Sequence, residues 1–137
     1  MKRNPNECYV YFAITGDFHL NEVLPLFDVQ PFECWDKDDI RKADNKPFGF
    51  SLIKYNKIDE YDPYVDKMME KCIAPFLDKV DLLNSLREKY TLEYYLTIVP
   101  SLVVDNINPC LAPSLKVMEF CVKTKTKIDC DLYLYKK

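Results

Sequence analysis

The chain has 137 residues, 48% hydrophobic and 30% charged, the composition of a folded single globular domain (residues 1–137) rather than of a disordered chain. Its formal net charge of −3 argues against nucleic acid as a partner, since phosphate contacts need clustered Lys and Arg. No apolar run approaches the ~20 residues of a membrane span, and the run in the opening MKRNPNECYVYFAI is too short for a signal-peptide core, so no membrane partner and a cytoplasmic location are expected.

Only two glycines occur against nine prolines, so proline and Asn/Asp clusters punctuate the chain. CYVYFAIT (8–15) alternates with period two and is rich in β-formers, which predicts a strand ended by Gly16-Asp17. HLNEVLPLFDV predicts a short helix, with Leu20, Val23, Leu24 and Phe27 at helical spacing and Pro25 kinking it. Residues 30–47, QPFECWDKDDIRKADNKP, are polar and aperiodic and read as a long loop of the kind that often carries function. FGFSLIKY (48–55) is the second predicted strand.

YDPYVDKMMEKCIAPFLDKVDLLNSLREKY is the longest helical segment. Asp62 suits an N-cap and Pro63 the first helical position, with Val65, Met68, Met69, Cys72, Ile73 and Phe76 on one apolar face. Val80, Leu83, Leu86 and Tyr90 continue that face, and Pro75 predicts a kink or break. TLEYYLTIVPSLVV (91–104) is a strand through about Val99 that resumes beyond Pro100. SLKVMEFCVKT (114–124) is a helix with Ser114 as N-cap and Leu115, Met118, Cys121 and Val122 facing inward, and KIDCDLYLYKK is the final strand. The order β-α-β-α-β-α-β predicts an α+β fold: one four- to five-stranded mixed or antiparallel sheet with helices packed on one face.

Of the six cysteines, Cys8, Cys72, Cys121 and Cys130 fall on apolar-phase positions, no CxxC occurs and no export signal is visible, so free structural thiols are expected. His19 is the only histidine, which leaves Ser-His-Asp or Cys-His catalysis resting on one turn residue. Zinc spacing, GxxxxGK[ST] and GxGxxG are all missing, and Asp36, Asp38 and Asp39 lack the glycine and ordered spacing of a calcium loop. No catalytic group, metal or cofactor is therefore expected. In the last strand Asp129 and Asp131 share a face with Tyr133 and Tyr135. Their Cβ atoms would stand about 7 Å apart, a spacing that suits a paired acid and base, a magnesium site, or simply the wet side of a strand. If helices cover the aliphatic phase, the other sheet face collects Tyr9, Tyr11, Glu93, Tyr95, Thr97, Asp129, Asp131, Tyr133 and Tyr135. Tyrosine is enriched at interfaces because it buries area while keeping a polar tip.

ECYVYFAITGDFHLNEVLPLFDVQP resembles the start of the bacterial family known as domain of unknown function 4279: a strand, a glycine turn, a helix and a proline. YDPYVDKMMEKCIAPFLDKVDLLNSL, YYLTIVPSLVV and PSLKVMEFCVKTKTKIDCDLYLY extend the resemblance in the same order over most of the chain. Two features depart from that pattern: CWDKDDIRK replaces a Lys-Gly-Asp-like turn, and Phe50 takes the approximate place of a tryptophan. The family name supplies no activity. Small proteins of this kind resemble, by analogy, the immunity proteins of bacterial toxin systems, which bind a toxin and lack catalytic machinery.

The expected function is a non-enzymatic protein-binding domain, an immunity protein whose tyrosine-carboxylate face, or whose acidic Asp36, Asp38 and Asp39 loop, covers a basic toxin domain. The expected contact residues are Asp36, Asp38, Asp39, Tyr133 and Tyr135, then Asp129, Asp131, Tyr9, Tyr11 and Tyr95. The alternatives are a hydrolase or small-ligand binder using Asp129 and Asp131, and a homodimer joined through the sheet face or an edge strand.

Overall fold

A computed structural model describes residues 5–136. The strands are β1 (Glu7–Gly16), β2 (Pro31–Trp35), β3 (Ser51–Ile58), β4 (Leu92–Val103), β5 (Lys127–Cys130) and β6 (Tyr133–Tyr135). The helices are α1 (Leu20–Val23), α2 (Val65–Ile73), α3 (Val80–Lys89) and α4 (Leu115–Thr124), with 3-10 turns at Leu24–Leu26 and Ala74–Phe76. Both 3-10 turns hold the prolines, Pro25 and Pro75, where the sequence predicts interruption.

The sheet order is β2-β3-β1-β4-β5, with β6 also paired to β4. β2, β3, β1 and β4 pair antiparallel with one another, whereas β5 and β6 run parallel to β4 after the α4 crossover that such pairing requires. β5 and β6 keep one register, Cys130 opposite Ile98 and Tyr133 opposite Ser101. Pro100 therefore falls opposite Leu132. Having no N–H, it cannot give the edge strand the bond that would join the two segments.

Helices cover one face only. Phe12 meets Phe76 at 4.6 Å, Tyr94 at 5.8 Å and Phe120 at 6.0 Å between ring centroids, tying β1 and β4 to the helical layer. The Tyr94 hydroxyl donates to the Leu83 carbonyl in α3 (2.6 Å). A bulge in β3 puts Asn56 in the left-handed region (φ 54°), which asparagine tolerates. Its Nδ2 donates to the carbonyls of Lys71 (3.1 Å) and Cys72 (2.8 Å), closing the end of α2.

Four details differ from the sequence reading. The 30–47 segment contains β2, held on β3 at the sheet edge, so the connection is shorter than expected. The second predicted strand is shifted toward Ile58. α2 starts at Val65 because Asp62 accepts the Tyr64 N–H (2.9 Å) in a turn just before the helix instead of capping it. In α4, Ser114 caps as expected, but the buried stripe is Val117, Phe120, Cys121 and Thr124. Leu115, Met118 and Val122 are exposed. Both stripes have helical spacing, and the contact of Phe120 with Phe12 selects between them.

Among the cysteines, Cys8, Cys72 and Cys121 are buried and all six are free thiols. Cys130 is exposed, because it stands on the edge strand beyond the reach of the helices.

Candidate functional site

The uncovered sheet face is built by strand alternation alone. The register sets Tyr9 opposite Val99, Tyr11 opposite Thr97 and Ala13 opposite Tyr95, and in the parallel ladder Asp129 lies beside Thr97 and Tyr133 beside Ser101. Paired residues point to the same side of a sheet. Tyr9, Tyr11, Tyr95, Asp129, Asp131, Tyr133 and Tyr135 thus share the face away from the helices, as the alternation predicts.

Lysines are part of the same surface. The β3 bulge turns Lys57 onto it, where Nζ lies 4.6 Å from the Tyr9 ring centroid and 5.9 Å from that of Phe32. Lys54 Nζ is 5.0 Å from Tyr11 and Lys127 Nζ is 5.6 Å from Tyr95. Tyr9 and Tyr11 stack at 6.1 Å, and Phe32 meets Tyr11 edge-on at 5.6 Å. Long side chains lie down over small ones: Ala13 is 4% exposed, Val99 4% and Thr97 6%, although no helix covers them. The rings and lysine stems exclude water there while their polar tips stay wet.

Carboxylates complete the pattern. The Tyr95 hydroxyl donates to the Glu93 carboxylate, which Lys127 Nζ also approaches at 3.6 Å. That bond holds the Tyr95 phenol above its ordinary pKa and, together with Lys127, Glu93 below its own. The Tyr133 hydroxyl donates to Asp131 (3.3 Å), whose charge raises the phenol's pKa. Asp129 and Asp131 are both exposed on the edge strand, at the rim of this face.

The acidic loop is a separate surface. It follows β2, the opposite edge from β5 and β6, so four strand spacings, about 19 Å, lie between them. Asp36 there acts on its own backbone. Its Oδ1 accepts the Leu20 N–H (2.8 Å), and its Oδ2 accepts the Asp38 N–H (3.1 Å) and faces His19 Nδ1 at 3.2 Å. The Leu20 N–H contributes most to holding the Asp36 carboxyl below its ordinary pKa. Asp39 accepts the Asp36 N–H (2.9 Å), and Asp38 is exposed. Ser51, fully buried, joins the two turns: its Oγ donates to the Phe18 carbonyl (2.5 Å) and accepts the Lys37 N–H (2.9 Å). His19, Asp36 and Asp38 bring ligand-type atoms within 4.8 Å of one another. Both Asp36 oxygens serve N–H donors of the turns they close.

The family model for a domain of unknown function (DUF4279) matches residues 6–135. The chain belongs to this family. No curated protein and no solved structure matches it. The family match spans every strand and helix described above, so the uncovered face and the His19–Asp36 turn both lie within the family domain. Trp35 stacks on Phe48 at 4.4 Å and meets Phe50 at 5.8 Å. The tryptophan of this chain therefore adjoins Phe50.

Sequence reasoning missed Phe32, Lys54 and Lys57. Phe32 lies in β2, a short strand flanked by charge that only its pairing with β3 defines, and Lys57 follows a bulge that shifts the β3 alternation by one. The pairing of His19 with Asp36 joins residues 17 apart across a turn and a strand, which no local pattern displays.

Proposed function

We propose that this DUF4279 protein is a non-enzymatic protein-binding domain, an immunity protein that binds a bacterial toxin domain and blocks it. The observation that carries the reading is a sheet face left bare by every helix, yet paved with Tyr9, Tyr11, Phe32, Tyr95, Tyr133 and Tyr135. Rings already stacked on one another and pinned by lysines lose little freedom on binding, which favours affinity. Aromatic anchors of this kind supply most of the energy in protein interfaces. Asp129 and Asp131 at one rim, and Asp38 and Asp39 at the other sheet edge, add carboxylates that speed encounter with a basic partner.

The mechanism is occlusion: the face covers the toxin's active site and substrate is excluded. A hydrolase reading using Asp129 and Asp131 has less behind it, since both carboxylates are exposed on an edge strand rather than enclosed. The test is co-expression with the toxin candidate encoded beside this gene, with and without this protein. Protection of the host is the expected result; equal killing in both cultures would refute the pairing.

A further inference from the structure

The outer edge of β5–β6 carries chemistry the binding face does not use. Asp131 N–H donates to Ile98 O (2.8 Å) and Tyr135 O accepts the Val104 N–H (2.8 Å), so the odd-numbered residues direct their backbone groups toward β4. By alternation Ile128, Cys130, Leu132 and Leu134 direct theirs outward, along an edge that ends the sheet. Their side chains are exposed on the helical side. That side also carries the exposed α4 stripe of Leu115, Met118 and Val122. Met118 lies on the flank of α4 turned away from Lys116 and Lys123, which border Leu77 and Val80, while Leu115 and Val122 lie beside Glu119 at helical spacing.

We propose that this edge is the self-association site of the protein: two copies pair β5–β6 antiparallel about a two-fold axis at Leu132. Geometry and charge narrow the choice of register, and the pairing of Cys130 with Leu134 decides for Leu132, since an axis at Tyr133 would set Cys130 against Lys136. Outward-directed residues must face one another, so the axis passes through a residue and not between two. An axis at Cys130 would set Asp129 against Asp131, and one at Asp131 would set that carboxylate against itself. Like charges directly opposite are destabilising. An axis at Leu132 sets Asp131 against Tyr133 and Asp129 against Tyr135 on the bare face. On the helical side it sets Cys130 against Leu134 and Leu132 against its own copy. Each carboxylate then meets a phenol, and Cys130, Leu132 and Leu134 meet apolar partners, with Ile128 opposite Lys136. The Asp131–Tyr133 pair falls at a non-hydrogen-bonded site, where side chains approach most closely.

Strand pairing alone falls short of the ~1,200 Å² buried in a stable interface; the α4 stripe adds apolar area on the same side. The resulting sheet is continuous through both copies, and Tyr133 and Tyr135 come to the centre of one composite bare face.

Sedimentation velocity on the full-length protein, across a concentration series, tests this without any toxin, so its outcome is separate from that of the binding reading. A species of twice the monomer mass is expected, and a monomer at every concentration overturns the proposal. Leu132→Pro removes only an outward donor and spares the bonds to β4, so it should give a folded monomer by circular dichroism; a dimer that persists overturns the edge assignment. Leu134→Cys should form an oxidised, disulfide-linked dimer with Cys130 of the second copy. That link should vanish in Leu134→Cys/Cys130→Ser, because residues 130 and 134 of one strand lie too far apart to bridge. Leu134→Cys alone leaves the backbone bonds intact, and its failure to crosslink above the wild-type level overturns the register.

Discussion

Ser51→Ala tests how the two turns beside the sheet are held. The Ser51 hydroxyl is fully buried and makes two bonds, to the Phe18 carbonyl and from the Lys37 N–H. Alanine fits the strand but leaves both backbone groups without that partner. An unmet buried group costs about 1–3 kcal/mol, so the loss of both partners should cost roughly 2–6 kcal/mol. Trp35 is the only tryptophan and stacks on Phe48 at the foot of the Asp36 loop, so its fluorescence reports this region. In urea, followed by that emission, the midpoint should fall with an unchanged slope, because the surface exposed on unfolding is the same. The native emission should also move, since Lys37 directly follows the Trp35–Asp36 segment. A loss under about 0.5 kcal/mol, within the range of ordinary surface substitutions, would refute the claim that Ser51 ties the turns together.

Three further outcomes follow from the same geometry. Tyr94→Phe removes the donor to Leu83 O and should cost about 1–2 kcal/mol, whereas Tyr55→Phe removes a buried hydroxyl that no group among the described residues meets and should be neutral or stabilising in the same urea assay. Thiol titration of the native protein at mild alkaline pH should modify Cys34, Cys110 and Cys130 and spare Cys8, Cys72 and Cys121. Burial pushes the Cys8 and Cys121 thiols up to about 11, and Cys130 should lag its exposed fellows because partial burial and the flanking aspartates raise its pKa; six thiols reacting at one rate would refute the burial assignments. The Asp36 carboxyl is held below its ordinary 3.8 in the folded state, so its contribution is complete above that pH and is lost as pH falls through the folded value. Asp36→Asn should therefore flatten stability against pH below about 4 relative to wild type, and an unaltered acid transition would contradict the role given to Asp36.

Period-two alternation made the bare face legible: Tyr9 and Tyr11 in β1, Tyr95 in β4 and the Asp-Tyr pattern of the last strand all emerge where the residues predict. The helices were legible where one apolar stripe competes with a polar remainder, as in α2. They were not in α4, where Leu115, Met118 and Val122 form a second stripe of equal spacing and only tertiary contact with Phe12 decides. β2 was illegible because PFECW is short and flanked by charge, and it becomes a strand through pairing with β3 rather than through its own propensity. The His19 turn was illegible for a related reason: Asp36 looks like one of three loop acids until the fold sets it against the Leu20 N–H.

The reading of function rests on the bare face making the contact, and one binding measurement addresses it directly. Calorimetric titration of a candidate toxin domain that the protein protects against in co-expression would compare wild type with Tyr9→Ser/Tyr11→Ser on the face and with Lys116→Ser/Lys123→Ser on the helical side. Two aromatic anchors at about 2 kcal/mol each predict a loss of affinity of at least 100-fold for the face variant, with the helical-side variant binding as wild type does. A face variant that binds as tightly as wild type, with its fold intact, would contradict the account.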